Sequence, residues 1–191
     1  GRQHLYYVRQ ALHARNRLGG ARCLLHDKAQ IELRWWAEQL MQNKPNGVPF
    51  ASRSHFPCFQ SPHVMVTYSD ASRELRARLT ESGYGSWCVL GDTLYYIEGR
   101  WTTVEIYLFS INVLELKAMN MGLFTFCRLA ASMNLEITEV CEFTDNRAAE
   151  FSADRGTART ERMVALVAER YDFLVHAEVA SAVTRIATED N

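Results

Sequence analysis

The stretch HVMVTYSDAS spans residues 63–72 and joins an apolar strand pattern to an acidic residue, Asp70. Both sets of alternating side chains in residues 64–69 are fairly apolar, which is typical of a strand buried on two faces. The pattern therefore predicts a central strand of a sheet that ends in a carboxylate.

Two further acidic residues stand in comparable places. Asp145 follows the strand pattern LEITEVCEF, and Glu115 lies early in a long apolar helix predicted over residues 110–133. If the two strands are neighbours and the helix crosses their edge, the three carboxylates converge. Converging carboxylates raise each other's pKa unless a cation lies among them, so the arrangement predicts two Mg²⁺ or Mn²⁺ ions and phosphate chemistry. An ordinary turn Asp and a surface Glu remain the alternative.

The composition is that of a globular protein, with 48% hydrophobic and 23% charged residues in a chain of 191. No apolar run approaches the length of a membrane span, so no membrane partner is expected.

The five cysteines are odd in number and form no C-x-x-C pair. We therefore expect reduced, buried thiols in an intracellular protein of the cytoplasm or nucleus.

Charge divides the chain into two parts. Residues 1–60 carry nine Lys or Arg against three Asp or Glu, whereas residues 61–191 carry twelve against nineteen. The basic charge of residues 1–60 favours binding to a polyanionic partner, and the acidic charge of residues 61–191 favours binding of cations. All four prolines lie within residues 45–62. We predict a helical connection segment and linker over 1–60, with helices near 5–15 and from Asp27, and one folded domain over 61–191.

The body of the chain alternates strands with helices. GYGSWCVLG and TLYYIEGRW form a predicted hairpin after the first strand, and the long helix follows. Beyond Asp145 the pattern predicts helices at 146–153 and 157–171 and a last strand at 176–186. Three hairpin-linked strands followed by alternating helix and strand predict an α/β fold with a five-stranded mixed sheet flanked by helices.

Six short motifs, taken in order, resemble the type 1 ribonuclease H domain of retroelement reverse transcriptases. They are YSDAS (68–72), GYGSWCVLGDTLYYIEGRW (83–101), INVLELKAM (111–119), EFTDNRAA (142–149), GTARTERM (156–163) and TRIATEDN (184–191). The resemblance covers roughly residues 25–191 and is strongest to DIRS-like and Ty3-like elements, in which an LRWW segment, here at 33–36, precedes the domain.

The resemblance implies a ribonuclease H-like fold and an endonuclease that cuts the RNA strand of RNA–DNA hybrids. Asp70, Glu115 and Asp145 would be its catalytic metal ligands, and a polymerase domain of the same polyprotein its partner. Integrases and transposases resemble this fold but place their final Glu on a late helix. Here the Glu lies on the helix between strands three and four, as in ribonuclease H.

Two departures from the family pattern concern the end of the chain. The family carries a fourth acidic residue shortly after a DN pair, and Asp190-Asn191 matches that pair at the last two positions. Many relatives also carry a His upstream of the pair, where this chain has Arg185 and no His. We therefore expect a C-terminally truncated domain. A catalytically weak or dead module, used for binding or scaffolding in a larger assembly, is the alternative function.

Three residues beside the carboxylates are candidates for substrate binding. Arg73 belongs to a basic run with Arg76 and Arg78 that suits the phosphates of a hybrid. Asn146 directly follows Asp145 and is a candidate for a hydrogen bond to a 2′-hydroxyl, the group that distinguishes RNA from DNA. Ser72 lies close to Asp70 in sequence and suits the substrate backbone. A solvated loop and an ordinary helix cap are the alternatives for these residues.

Overall fold

The computed structural model describes residues 27–41, 62–75, 81–90 and 92–186. The helix predicted at residues 5–15, most of the proline-rich linker, Arg76, Arg78 and the Asp190-Asn191 pair lie outside the described residues. The division of the chain after residue 60 stays a prediction.

The described part of the chain forms five strands and five helices. The strands are β1 (Val64–Ala71), β2 (Gly83–Leu90), β3 (Thr93–Arg100), β4 (Glu139–Thr144) and β5 (Ala180–Arg185). The helices are α1 (Asp27–Met41), α2 (Thr103–Leu108), α3 (Ile111–Ser132), α4 (Arg147–Arg155) and α5 (Glu161–Ala177). Helix α1 begins at the residue from which a helix was predicted. Among the described helices, none combines the length and apolar composition needed to cross a membrane.

The five strands form one mixed sheet in the order β3-β2-β1-β4-β5. The hairpin partners pair antiparallel, β1 with β2 and β2 with β3. β4 runs parallel to both β1 and β5. The central position of β1 confirms the interpretation of its two-sided apolar pattern, and the predicted mixed sheet flanked by helices is confirmed.

The main core lies between the sheet and α3, which packs across β1 and β2. Alternate residues of β1 are buried towards this layer, including Met65 and Thr67, because successive side chains of a strand point to opposite faces. Leu123 and Phe126 of α3 join Met65 in one buried cluster. Burying each such apolar side chain contributes about 1.5–3 kcal/mol. Helix α5 packs beside α3 and closes a second cluster.

Cys88, Cys127 and Cys141 are buried and form no disulfide. Burial raises the pKa of each thiol to about 12. The expected burial of the thiols is therefore confirmed for these three, whereas their reduced state stays a prediction. Cys23 and Cys58 lie outside the described residues.

The short helix α2 was not predicted from the sequence. It begins with a capping box, in which the Thr102 side chain accepts from the Glu105 amide and the Glu105 side chain accepts from the Thr102 amide. Ile106 is its one buried residue and packs with Leu114 of α3. Six residues are too few for apolar periodicity to be recognised, so the segment offers no pattern to sequence reasoning.

The later elements differ from the prediction mainly at their ends. α5 starts after Thr160, whose hydroxyl accepts a hydrogen bond from the Met163 amide, four residues later than the predicted start. It then continues to Ala177 and ends at Glu178, a left-handed C-cap. The last strand consequently starts at Ala180, because the residues predicted as its beginning complete the last turn of the helix. α4 ends at Gly156, whose φ of 62° stops the helix.

A fully buried ion pair connects α5 to the sheet. Arg170 is 0% exposed and its Nη2 donates to Glu142 of β4 and, at 2.8 Å, to the Ser181 hydroxyl of β5. Ser181 also donates to Glu142 at 2.6 Å. Arg170 Nη1 reaches Asn120 of α3 at 3.4 Å, and Asn120 donates to the Leu166 carbonyl at 2.9 Å. The network therefore joins two helices to two strands at one place in the core.

Candidate metal centre

The two Asp residues lie at the same edge of the sheet because β1 and β4 are parallel neighbours. Tyr68 of β1 is in register with Phe143 of β4, so Asp70 and Asp145 each lie two residues beyond the last paired position. Asp70 remains within the β1–β2 ladder opposite Gly85, whereas Asp145 directly follows the end of β4. Parallel pairing thus places both carboxylates together, as the sequence predicted.

Glu115 comes to the same edge from α3. Its side chain is 4% exposed although it is ionisable, and its neighbours Leu114 and Leu116 are fully buried. Because α3 packs across β1, this buried side of the helix faces the end of the strand that carries Asp70. Each of the three residues offers a carboxylate oxygen, and these oxygens all lie within 4.8 Å of one another.

Burial and mutual repulsion make ionised carboxylates unfavourable at this site. Burial raises the pKa of Glu115 to about 8, and the negative charges of Asp70 and Asp145 add to the rise, which the Ala71 amide opposes. Partial desolvation also raises the pKa of Asp70, with the charge of Asp145 adding to it. No described basic side chain lowers either value. Glu115 Oε2 is buried and has no hydrogen-bond partner.

The residues fit a hard divalent cation. The donor set consists of carboxylate oxygens alone, which Mg²⁺ and Mn²⁺ prefer and which soft metals do not. A cation would also satisfy the buried Glu115 oxygen, which otherwise carries the free-energy cost of an unpaired polar group. The three residues can therefore hold a metal ion.

Hydrogen bonds fix Ser72, Arg73 and Asn146, the three candidates for substrate binding. The Ser72 hydroxyl donates to the Glu81 carbonyl at 3.0 Å and accepts from the Gly83 amide at 3.1 Å, which fastens the end of β1 to the start of β2. Arg73 Nε donates to the Ile106 carbonyl of α2 at 2.9 Å. Their contacts with a substrate stay predictions.

Asn146 is the N-cap of α4, the alternative that the sequence left open. Its Oδ1 accepts from the amides of Ala148 and Ala149, both at 3.0 Å. Its Nδ2 donates to Asn112 Oδ1 at 3.1 Å, which ties the residue after Asp145 to the first turn of α3. Sequence reasoning missed Asn112, and nothing local distinguishes it from an exposed helix Asn.

An open groove of about 530 Å³ runs from Asp70 along the ends of β1, β2 and β3. Ser72, Gly85 and Arg100 are among the residues that line it. A Cβ placed on Gly85 would meet no atom within 4 Å, so this part of the groove floor is open beside Asp70. The groove is wide enough for an extended ligand and reaches the carboxylate cluster at Asp70.

Three features complete the architecture. They are the strand order, the parallel β1–β4 pair, and a helix between strands three and four that brings Glu115 to the edge of that pair. The fold is ribonuclease H-like. No protein-family model and no curated protein sequence matches this chain.

Solved structures with a similar backbone include ribonuclease H proteins and a protease-reverse transcriptase, all of low sequence identity. The N-terminal ribonuclease H domain of a Mycobacterium tuberculosis protein is 16% identical with a TM-score of 0.47, over 67% of this chain and 85% of that one. LC11 ribonuclease H1, solved with an RNA/DNA hybrid, is 14% identical with a TM-score of 0.45, over 66% and 88%. The foamy viral protease-reverse transcriptase, also with a hybrid, is 12% identical with a TM-score of 0.38, over 82% and 24%.

The stability of the metal-free ribonuclease H-like domain is expected to fall as the pH rises from 5 towards 9. Since the folded-state pKa of Glu115 is about 8 instead of its ordinary 4.5, its stabilising contribution is complete below the ordinary value and is lost as the pH passes the raised one. The loss is on the order of a few kcal/mol. Urea unfolding in EDTA at several pH values measures it.

Two comparisons test this assignment of the pH dependence. Glu115→Gln should flatten the metal-free curve over the same pH range, because Gln does not ionise. Mg²⁺ or Mn²⁺ should reverse the fall for the parent protein, because the cation binds the ionised carboxylates. A parent curve in EDTA that is already flat between pH 5 and 9 would contradict the prediction.

Proposed function

We propose that this chain is a divalent-metal-dependent endonuclease that cleaves the RNA strand of RNA–DNA hybrids, as part of a DIRS-like or Ty3-like reverse transcriptase. The observation that carries the proposal is the convergence of Asp70, Glu115 and Asp145 without a compensating described cation. The motif resemblance supplies the substrate and the retroelement context. A polymerase domain in the same polyprotein is the proposed partner.

The three carboxylates have different proposed tasks. When bound, two Mg²⁺ or Mn²⁺ ions would generate the attacking hydroxide and offset charge on the phosphate. Asp70 would be the shared central ligand. One of its oxygens accepts from the Ala71 amide at 2.8 Å, which fixes the orientation of the carboxylate. Glu115 would act from a buried position on α3, and Asp145 from the junction between the end of β4 and Asn146, the N-cap of α4.

Selectivity for RNA is proposed to come from groups next to Asp145 and Asp70. Asn146 Nδ2 carries two N–H groups, of which one donates a hydrogen bond to Asn112 Oδ1. The other is proposed to donate to a 2′-hydroxyl of the RNA strand. The Ser72 hydroxyl borders the groove at Asp70 and is proposed to contact the substrate backbone.

Arg73 is the proposed phosphate contact. Its bond to the Ile106 carbonyl holds Nε and leaves the two terminal nitrogens for the fork-shaped contact that a guanidinium makes with phosphate. Arg73→Ala should raise KM for the hybrid about tenfold, or about 1.4 kcal/mol, with a smaller change in kcat. The slope of log affinity against log salt should also shrink by about 0.9, one phosphate's share.

Arg128 provides the matched control for this variant because it is exposed on α3. Arg128→Ala removes the same charge from the protein and should leave both KM and the salt slope unchanged. Equal effects of the two variants would mean that only net charge matters, and the assignment of Arg73 would be wrong.

The decisive experiment is incubation of the protein with an end-labelled RNA–DNA hybrid in Mg²⁺, in Mn²⁺ and in EDTA. We expect cleavage of the RNA strand only, dependent on the metal, and no cleavage of duplex RNA or duplex DNA. Hybrid binding without cleavage in either metal would favour the scaffold function over the nuclease.

A further inference from the structure

Helix α3 packs closely against the sheet at a glycine. Gly122 is buried, and a Cβ placed there would lie 2.3 Å from Ser86 Oγ, 3.0 Å from Ser86 Cβ and 3.2 Å from Ser69 Oγ. Contacts below 3.0 Å essentially never occur for a real Cβ, so any side chain at this position requires the Ser86 side chain, the helix or the sheet to shift. The contact therefore limits how near α3 lies to β1 and β2.

The two serines beneath Gly122 cannot easily yield. Both are buried, Ser69 at 4% and Ser86 at 3% exposure, and their hydroxyl oxygens lie 2.8 Å apart. The Ser86 hydroxyl donates to the Tyr68 carbonyl at 2.8 Å, so the Ser69 hydroxyl supplies the proton between the two serines. Displacing Ser86 Oγ would break both bonds in the interior, where unsatisfied polar groups are costly.

This contact and the carboxylate cluster share the same helix face and the same strands. Gly122 follows Glu115 by seven residues, which is close to two helical turns, so both lie on one side of α3. Ser69 directly precedes Asp70 on β1, and Ser86 directly follows Gly85, the residue opposite Asp70. The spacing at Gly122 therefore bears directly on the spacing between Glu115 and Asp70.

Local helix preference does not explain this glycine. Gly within a helix costs about 1 kcal/mol relative to Ala, and Gly122 is in the middle of the 22 residues of α3. The stabilising gain must come from packing, since the absence of a side chain permits the close contact with Ser86.

We infer that Gly122 is a positioning residue of the metal centre, whose missing side chain sets the distance of Glu115 from Asp70. The inference rests on the proposed metal site and not on the identity of the substrate. Gly122 itself contacts no ligand; it acts through the height of α3 above β1 and β2.

Gly122→Ala tests the inference, with Mn²⁺ binding measured by calorimetry on the folded protein in the absence of nucleic acid. We expect the affinity for Mn²⁺ to fall about 10- to 100-fold, as for other residues that act by orienting metal ligands. Adding Ser86→Gly removes the Oγ and Cβ that the new methyl group would meet and should restore most of the affinity. Ser86→Gly alone serves as the reference for the lost hydroxyl.

Thr125→Ala is the matched control, because Thr125 is exposed on the same helix and the change also favours helix formation. It should leave Mn²⁺ affinity unchanged. If Gly122→Ala alone does not fold, the double variant decides, and it is expected to fold and to bind Mn²⁺. Parent-like affinity of Gly122→Ala, or a double variant that fails to fold or binds no better than the folded single variant, would overturn the inference.

The outcomes separate this inference from the proposed function. A parent protein that binds Mn²⁺ and cuts no hybrid refutes the nuclease proposal and leaves the Gly122 inference standing. A parent protein that binds no Mn²⁺ refutes both.

Discussion

Asp70→Asn is expected to abolish cleavage of an RNA–DNA hybrid while leaving the fold intact. The substitution removes the formal charge of the proposed central metal ligand with little change in shape, and Asn Oδ1 can still accept from the Ala71 amide. We expect the rate to fall by about 100-fold or more, since charge developing on the phosphate is no longer offset. Single-turnover cleavage of a labelled hybrid in saturating Mg²⁺ or Mn²⁺ measures the loss.

Stability provides a second measurement on the same variant. Because desolvation and the charge of Asp145 raise the pKa of Asp70, the neutral Asn should increase the melting temperature in EDTA at neutral pH. Asp92→Asn, in the exposed turn before β3, is the matched control and should change neither rate nor melting temperature. If Asp70→Asn cuts the hybrid as fast as the parent, Asp70 is not a ligand and the nuclease proposal fails.

Arg170→Met is expected to lower the free energy of unfolding by about 3–5 kcal/mol, the cost of leaving a buried charge without its partner. Glu142 is 2% exposed, so water cannot replace the guanidinium that donates to it. The urea midpoint at pH 7, converted with the parent's m-value, measures the loss.

The double variant Glu142→Leu with Arg170→Met should recover most of this stability, because well-packed apolar side chains often replace a buried ion pair at little cost. Lys28→Met is the contrasting control. The Lys28–Glu161 pair is more than half exposed on both sides and should contribute less than about 1 kcal/mol. A single Arg170→Met variant as stable as the parent would show that the buried pair is not needed.

The strands and the carboxylate cluster were predictable because they rest on local patterns. The alternation around Tyr68, with a carboxylate at the end of the strand, marked β1 as central, and the same logic applied to β4 and Asp145. Once the strands are parallel neighbours, both Asp residues must lie at one edge. The convergence of Glu115 with them was predicted and is confirmed, whereas its role as a metal ligand stays a proposal.

The misplaced boundaries have an equally physical origin. Residues 176–179 alternate well enough to resemble a strand, yet His176 and Ala177 complete α5 because the helix finds its stop only at the left-handed Glu178. α2 forms because Ile106 can be buried against Leu114 and because Arg73 donates to its carbonyl. Both decisions depend on partners distant in sequence.

The sequence by itself determined the order of the strands and of the described helices other than α2, and it identified the three acidic residues that converge, since periodicity and strand ends are local properties. Tertiary structure alone decided how those carboxylates behave. The pKa of Glu115 rises to about 8 because α3 buries it beside Asp70 and Asp145, and the same helix packs closely against Ser86 at Gly122. Burial and charge proximity depend on three-dimensional distance, which no local pattern in the chain encodes.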